Sequence, residues 1–378
     1  MTDFDLRGFV GIRVVDGTPR DIAVVERQVG PIQRPLDRAP DITIRFVDRL
    51  AVRGPVRLLG LGEFAFTDDA FLAMRVRHKV AARVALPMDA VGSQCEIVCE
   101  RGIPAVPFLV AIINLTALAN GAVPIHGSAF VRNGSGILAT GWAKGGKTET
   151  LLAFLDAGAS YVGDEWVYLP GDGTMFGMPE PIRFWGWHLA QVPALAARIN
   201  RSDRLRVGAI QRLADAMDRA LARSPRPAPA AVQVLSRLAP LVRRQAAVQV
   251  PPAVAFGART HVERARLDHL VLALSTEDDR YAAEQVDPVE VARRMAASVR
   301  FERIDFEAAY AAFRFAFPDR VNPVLETAAE RELELLTRAL APISATRLSH
   351  PYPPRIELLH RTLVPALDES RPTEADRC

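Results

Sequence analysis

The sequence predicts a mixed α/β (α+β) protein, and three observations along the chain lead to this fold class. Residues 1–100 contain short segments in which apolar and polar residues alternate, and the clearest of them covers residues 41–47. Over residues 125–169 the pattern changes to strand, turn, strand, glycine-rich turn, helix and strand. Segments rich in Ala, Arg and Leu then indicate helices over residues 188–248, and a buried apolar strand follows at residues 269–274.

These patterns divide the chain into three parts. We expect a β-rich N-terminal domain over residues 1–104 and an α/β domain over residues 105–343, with a helical insertion at about 188–248. The proline-rich segment 224–229 interrupts the insertion and predicts a linker or an exposed loop. Residues 344–378 are polar and rich in proline, so we expect a partly disordered tail there.

The composition narrows the function classes. The chain has 378 residues, enough for two domains, and its 49% hydrophobic and 24% charged residues exclude a wholly disordered or fibrous protein. The net charge of +3 is too small to indicate a nucleic-acid or membrane-surface partner, and we expect neither. Three cysteines cannot form a disulfide framework, and Cys95 and Cys99 would lie about 13 Å apart along one strand. Free thiols and an acidic N-terminus without an apolar run predict a cytoplasmic protein.

One long uncharged segment, residues 102–131, has to be weighed as a membrane span. Asn114, Thr116 and Asn120 interrupt it, and a lone spanning helix would hold these polar groups in lipid without partners. We therefore expect a helix over residues 106–120 that is buried in the protein core.

The segment from Gly141 to Thr148 satisfies the phosphate-loop pattern G-x-x-x-x-G-K-[ST]. In such loops backbone N–H groups surround the β-phosphate, the Lys ammonium reaches the β- and γ-phosphates, and the Thr hydroxyl ligates Mg²⁺. A short apolar strand precedes the segment, and a helix that Gly158 terminates follows it, which is the context that the motif requires. The chain has 44 arginines and only three lysines, yet Lys144 and Lys147 both lie in this loop.

The loop therefore predicts a nucleotide site that binds ATP with Mg²⁺. Its nucleotide-binding residues are predicted to be Gly141, Lys144, Gly145, Gly146, Lys147, Thr148 and Glu149. The four tryptophans also fall in this region, and we expect core packing for them, with nucleotide stacking as the alternative: Trp142, Trp166, Trp185 and Trp187.

Three short segments around the loop resemble the HPr serine kinase/phosphorylase family and its bacterial relatives, some of which phosphorylate precursor peptides. Residues 125–127 match the family's His-Gly ahead of the loop strand, and residues 146–149 match its G-K-S-E. Residues 157–165 match the segment that ends in the family's Asp-Asp pair, and the whole match covers about residues 121–183. The resemblance implies a P-loop kinase domain of the HPr kinase/PEP carboxykinase-like type, acting on Ser of a peptide or small protein.

A kinase needs a phosphate clamp, metal ligands and a group that accepts the proton of the acceptor hydroxyl. With the resemblance, the predicted catalytic residues are Asp164 as the base, His126 beside it, and Lys147 as the clamp. Thr148 and Glu165 are the predicted metal-side residues. The alternatives are an acidic strand end facing water for Asp164, a surface ion pair for Glu165 and a satisfied core residue for His126.

Three departures from the family pattern limit what the resemblance implies. Lys144 stands where the family loop has its inner Gly, so Gly145 is expected to take the positive-φ conformation and Lys144 to point to solvent. Glu165 replaces the second Asp. Residues 182–186 only weakly match the family's Arg-Gly signature, which leaves Arg183 as a candidate contact to nucleotide or acceptor. These departures argue against HPr itself as the substrate and against a reverse, phosphorolytic activity.

The remaining assignments stay broad at this point. Five further histidines lack metal-ligand spacing and receive no role: His188, His261, His269, His350 and His360. Acceptor recognition is expected from the N-terminal domain, the helical insertion or a partner subunit in a homo-oligomer. A small-molecule kinase for a sugar or a modified amino acid would use the same loop. An ATP-binding regulatory or assembly module without phosphoryl transfer is the third possibility.

Overall fold

The computed structural model describes residues 1–76, 80–223, 230–257 and 260–369. These residues form twelve helices and nineteen strands, so the mixed α/β fold class is confirmed. The predicted linker at 224–229 lies outside the described residues.

The N-terminal part is one eight-stranded sheet. Its strands are β1 (Thr2–Leu6), β2 (Val10–Val15), β3 (Ile42–Val47), β4 (Arg57–Leu59), β5 (Phe64–Phe66), β6 (Phe71–Val76), β7 (Val80–Ala85) and β8 (Cys95–Glu100). The order is β1-β2-β3-β8-β7-β6-β5-β4, with β3 parallel to β2 and to β8. Helix α1 (Pro19–Val29) connects β2 to β3, and a capping box of Thr18 and Asp21 starts it. Every second residue of β3 is buried, as its alternating sequence predicts.

The later strands build a second, central sheet. They are β9 (Val123–Arg132), β10 (Ser135–Gly141), β11 (Ser160–Gly163), β12 (Trp166–Leu169), β13 (Thr174–Gly177), β14 (Ile182–Trp185), β15 (Ala247–Val250), β16 (Ala265–Arg266), β17 (His269–Thr276), β18 (Ala282–Gln285) and β19 (Ser344–Pro351). The central order is β16-β13-β12-β9-β10-β17-β19-β18, while β11 also pairs with β9, and β14 pairs only with β15. Since β10, β17 and β19 are parallel, their carboxyl ends meet at one edge.

The other helices follow the same division of the chain. They are α2 (Leu109–Ala119), α3 (Lys147–Asp156), α4 (Gly186–Gln191), α5 (Pro193–Arg198), α6 (Arg201–Ala222), α7 (Ala230–Gln245), α8 (Pro252–Phe256), α9 (Pro288–Glu302), α10 (Ile304–Ala316), α11 (Pro323–Leu340) and α12 (Ile356–Glu369). Helices α4 to α7 occupy the range of the predicted insertion and lie between the two strands of the β14–β15 pair along the chain.

Helix α2 is the uncharged segment that raised the question of a membrane span. It is buried, as expected, but starts three residues later than the predicted range 106–120. Its polar groups are satisfied inside the protein, because Tyr168 donates to Asn114 Oδ1 at 2.7 Å and Thr116 donates to the Ile112 carbonyl at 2.8 Å. Among the described residues, no helix is long and apolar enough to cross a membrane.

One hydrophobic core extends through both sheets. It joins side chains of the first sheet, such as Phe4 and Ile44, to side chains of the central sheet, such as Leu138 and Leu270. A second cluster lies on the other face of the central sheet, beneath α3 and α12. The predicted boundary at residue 104 therefore separates two sheets whose side chains share one core, and it stays a prediction from sequence.

The predicted tail from residue 344 is wrong for its described part. Residues 344–351 form β19, which lies between β17 and β18 in the central sheet. Residues 356–369 form α12, whose Leu359, Leu363 and Leu367 recur at helical spacing and are buried. Of the prolines that suggested a tail, Pro353 and Pro354 lie in the turn between these two elements, Pro351 ends β19 and Pro365 lies inside α12. Residues 370–378 lie outside the described residues.

Packing of α12 can be measured with a single substitution. Leu363 is 0% exposed, so Leu363→Ala should lower the free energy of unfolding by about 2–5 kcal/mol through lost apolar contacts and a cavity. Leu333→Ala is the matched control, because Leu333 on α11 is 40% exposed and should cost under about 0.5 kcal/mol. Equal urea midpoints for the two variants would contradict a packed α12.

Candidate functional site

The predicted phosphate loop lies at the edge where the parallel strands end. Strand β10 ends at Gly141, and α3 starts at Lys147, so the loop leads directly into a helix N-terminus. His350, at the carboxyl end of β19, supports the loop from below, with its Nε2 2.9 Å from the carbonyl oxygen of Gly145. A Cβ on Gly146 would come within 2.2 Å of the same nitrogen, so only glycine fits there.

The backbone of the loop differs from our expectation. Lys144, at φ +61°, adopts the left-handed conformation, whereas Gly145 was expected to adopt it. Gly145 is required for a different reason: its Cβ would lie 2.9 Å from the carbonyl oxygen of Trp142. The loop thus keeps a left-handed residue at the position of the family's inner Gly, at a cost of about 1–2 kcal/mol for a lysine. Lys144 is exposed, in agreement with the expected solvent position.

Lys147 lies inside the curve of the loop. Its Nζ donates to the carbonyl oxygens of Trp142 at 2.8 Å and of Gly141 at 3.4 Å, and the residue is 6% exposed. Burial lowers the pKa of Lys147, and nearby carboxylates, led by Glu165 and Asp164, offset only part of this effect. The ammonium is therefore held by the loop's own carbonyls.

Asp164 directly follows β11 and is 1% exposed. The Thr148 hydroxyl lies 3.2 Å from each of its carboxylate oxygens, and the Ser128 hydroxyl on β9 donates to it as well. Burial, followed by the negative charge of Glu165, raises the pKa of Asp164 to about 7, while these hydroxyls and Lys147 act in the opposite direction. Asp164 is thus a buried acid beside the predicted metal-binding hydroxyl, which excludes the alternative of a strand end facing water.

His126 lies between two carboxylates. We expected it near Asp164 or a phosphate, but its Nε2 lies 3.0 Å from Glu165 Oε2 and its Nδ1 lies 3.0 Å from Glu302 Oε1. Its ring stacks on Trp166 with centroids 5.6 Å apart. Burial opposes a charge on His126, but the two carboxylates outweigh it and raise its pKa. The pKa of Glu165 is lowered despite burial, chiefly through its hydrogen bond with His126.

Glu149 and His188 form a second buried pair. The Trp185 N–H lies 3.2 Å from His188 Nδ1, so that nitrogen accepts and Nε2 carries the hydrogen that is donated to Glu149 Oε1 at 3.0 Å. Burial is the largest single influence and raises the pKa of Glu149, but the hydrogen bond from His188 and several smaller interactions together outweigh it, and the net pKa is lowered. The pair connects the first turn of α3 to α4, so the helical insertion is attached to the phosphate loop.

These side chains converge on one cavity of about 540 Å³. Its wall includes every predicted site residue except Gly141, which ends β10 behind the loop: His126, Lys144, Gly145, Gly146, Lys147, Thr148, Glu149, Asp164 and Glu165. Arg183 and Gln249, from the β14–β15 pair, also line the cavity. Arg183 is exposed, and its positive charge contributes to the lowered pKa of Glu165.

The oxygen donors of the site suit a hard cation. Thr148 and Asp164 offer a hydroxyl and a carboxylate in contact, which is the donor type that Mg²⁺ prefers. Within the described ranges, no group of three or more His, Cys, Asp or Glu side chains is arranged to hold a metal ion. The set therefore fits Mg²⁺ bound partly by nucleotide phosphates and water, rather than a cation held by protein ligands alone.

Sequence reasoning missed several contributors. Ser128 was detectable, because it lies two residues after His126 and so faces the same side of β9. Three other contributors lie far from the loop in sequence and belong to no motif: His188, Glu302 and His350. The two histidines were set aside because they lack metal-ligand spacing, but that criterion does not test for hydrogen bonds. No protein-family model matches the chain, and neither does any curated protein.

The fit of the loop against His350 gives a test with a matched control. Gly146 and Gly158 have similar left-handed φ values of +100° and +94°, but nothing lies within 4 Å of a Cβ at Gly158. Gly146→Ala should therefore lower the free energy of unfolding by about 1–3 kcal/mol more than Gly158→Ala, because it adds overpacking to the same backbone strain. Urea unfolding measures both, and equal losses would contradict the contact.

Proposed function

We propose that the protein is an ATP-dependent kinase that transfers the γ-phosphoryl group to a hydroxyl, with Ser of a peptide or small protein as the acceptor. One observation carries the proposal: the phosphate-loop hydroxyl of Thr148 contacts the buried carboxylate of Asp164 in a cavity that His126 and Glu165 also enter. A phosphate loop next to a strand-end acid is the arrangement that phosphoryl transfer requires. It supports the resemblance to the HPr kinase/PEP carboxykinase-like fold.

The phosphates would be bound by the loop and by Lys147. Backbone N–H groups at the start of α3 would donate to the phosphates, and the helix would add its partial positive charge. Lys147 would exchange its contacts with the Trp142 and Gly141 carbonyls for phosphate oxygens. Mg²⁺, held by Thr148 with Asp164 or Glu165, would neutralise charge on the phosphates.

Asp164 is our assignment for the group that accepts the proton. The acceptor oxygen forms a bond to the γ-phosphorus, the bond to the bridging oxygen breaks, ADP leaves, and the hydroxyl proton goes to the carboxylate. A pKa near 7 suits this role, because an efficient base has a pKa close to the working pH. The contact with Thr148 also brings Asp164 to the metal side, a position we expected for Glu165.

Glu165 and His126 then act as a unit beside Asp164. The negative charge of Glu165 raises the pKa of its neighbour, and the bond to His126 keeps Glu165 ionised. Glu302 on α9 holds the other nitrogen of His126. We propose that this chain of contacts keeps Asp164 weakly acidic while fixing the orientation of Glu165.

Substitution of Lys147, the proposed phosphate clamp, and of Asp164, the proposed base, tests the roles assigned to them. With labelled ATP and a library of serine peptides, Asp164→Asn should lower kcat/KM by about 10²–10⁴-fold. Lys147→Ala should weaken ATP binding as well as transfer. Asp156→Asn, an exposed change at the end of α3, is the control. Transfer that survives both site substitutions would refute the assignment, and label that appears only in a pool of small hydroxyl compounds would favour the small-molecule kinase.

The pKa of Asp164 predicts a pH profile. Because the base must be unprotonated, kcat/KM should fall as the pH drops through about 7. Glu165→Gln removes the neighbouring negative charge, so the acidic limb should move to lower pH. Glu330→Gln, an exposed change on α11, should leave the limb in place. A limb that does not move in Glu165→Gln would argue against Asp164 as the base.

A further inference from the structure

Two large aromatic side chains lie uncovered at the phosphate loop. Trp142, the second residue of the loop, is 47% exposed, although we expected the tryptophans to pack in the core. Its ring packs on Phe301 with centroids 4.7 Å apart, and Phe301 is itself 45% exposed. Apolar rings of this size are normally covered in a folded protein, so a joint exposure at a ligand site indicates a binding surface.

The backbone on both sides of this aromatic pair is held in place. Trp142 offers its carbonyl oxygen to Lys147, and Ser298 in the last turns of α9 lies 3.4 Å from the carbonyl oxygen of Gly141. Val299 and Glu302 on the same helix, next to Phe301, line the cavity. Neither ring lines the cavity itself, but their chain neighbours Ala143 and Glu302 do, so the two rings lie beside the cavity on fixed supports, with free aromatic surface.

We propose that Trp142 and Phe301 form a stacking platform for the nucleobase of the bound nucleotide; this inference rests on the proposed function. The phosphates are fixed at Lys147, so the base has to reach the rim of the cavity. The carbonyl oxygen of Trp142 lies 2.8 Å from the Lys147 ammonium, so the aromatic pair starts close to the phosphates. A flat, uncharged, π-rich base matches exposed aromatic surface, whereas the phosphates match the ammonium and the backbone N–H groups.

Stacking recognises the face of a base and not its hydrogen-bonding edge. The platform therefore predicts similar affinities for ATP and GTP. It also predicts that a ligand with the same phosphates but no base, tripolyphosphate, binds more weakly than ATP.

Calorimetry on the full chain with Mg²⁺ measures the affinities for ATP, GTP and tripolyphosphate directly. Trp142→Ala should weaken ATP and GTP binding by about 5–150-fold, the range that loss of one stacked base gives, and leave tripolyphosphate binding unchanged. Phe301→Ala should act in the same direction, and Trp142→Phe should retain most of the affinity because it keeps an aromatic ring. Phe315→Ala is the control, since Phe315 is also exposed, at 75%, but lies on α10, and neither of its chain neighbours lines the cavity.

The outcomes separate this inference from the kinase proposal. Equal losses for ATP and tripolyphosphate in Trp142→Ala, no loss for either, or a wild-type protein that binds both equally would each overturn the platform. Phosphoryl transfer is measured independently. Phosphoryl transfer without a nucleobase effect would support the kinase and contradict the platform. A nucleobase effect without transfer to any acceptor would support the platform and contradict the kinase.

Discussion

The contact between the Thr148 hydroxyl and the Asp164 carboxylate is the interaction on which the rest of the site depends. A carboxylate this deeply buried is costly unless hydrogen bonds and positive charge compensate. Thr148 and Ser128 supply the hydrogen bonds, and Lys147 supplies the charge. The compensation is partial, because Glu165 adds a second negative charge, and the pKa of Asp164 stays near 7. This geometry therefore leaves Asp164 as a buried acid that is half ionised near neutral pH.

Strand order makes that contact possible. The loop leaves β10, Asp164 follows β11, and β9 pairs with both strands, so their ends reach the same region. His126 and Ser128 project from β9 on one side of the sheet. His350 arrives from β19 and fills the space beneath the loop, which leaves room only for glycine at position 146. Three strands that follow one another in the chain, β9, β10 and β11, and the distant strand β19 therefore position one eight-residue loop.

The parts of the site that the sequence predicted lie close together in the chain, between residues 126 and 165. Residues 141–149 form a local pattern whose spacing follows from how a loop surrounds a phosphate, and Asp164 follows at the next strand end. His188, Glu302 and His350 reach the site through tertiary packing, and a sequence without a motif gives no signal for that. The Lys144 conformation was mispredicted because nothing in the sequence disclosed the close approach of Gly145 to the Trp142 carbonyl.

The same division holds for the fold. Helix α9 has Asp287 as its N-cap and Pro288 as its first residue, and this local signal can be recognised in the sequence. The end of the chain was predicted wrongly because the prediction was based on its prolines and polar residues. The apolar patterns of β19 and α12 were overlooked. Strand β19 buries the apolar side chains of Ala345 and Leu348 together with Thr346 and His350, and it pairs with β17 and β18 on either side.

The charges around the cavity affect whether a nucleotide would bind with or without Mg²⁺. Five carboxylates line it: Glu149, Asp164, Glu165, Glu180 and Glu302. Two like charges 4 Å apart repel by about 4 kcal/mol near a protein surface, so a polyphosphate would enter an already acidic cavity at a considerable cost. Lys144, Lys147, Arg183 and Arg303 line the same cavity and offset part of this charge, although Arg303 is itself paired with the buried Glu332. A divalent cation beside Thr148 would relieve both the phosphates and the carboxylates, and on these grounds we expect nucleotide and Mg²⁺ to bind together.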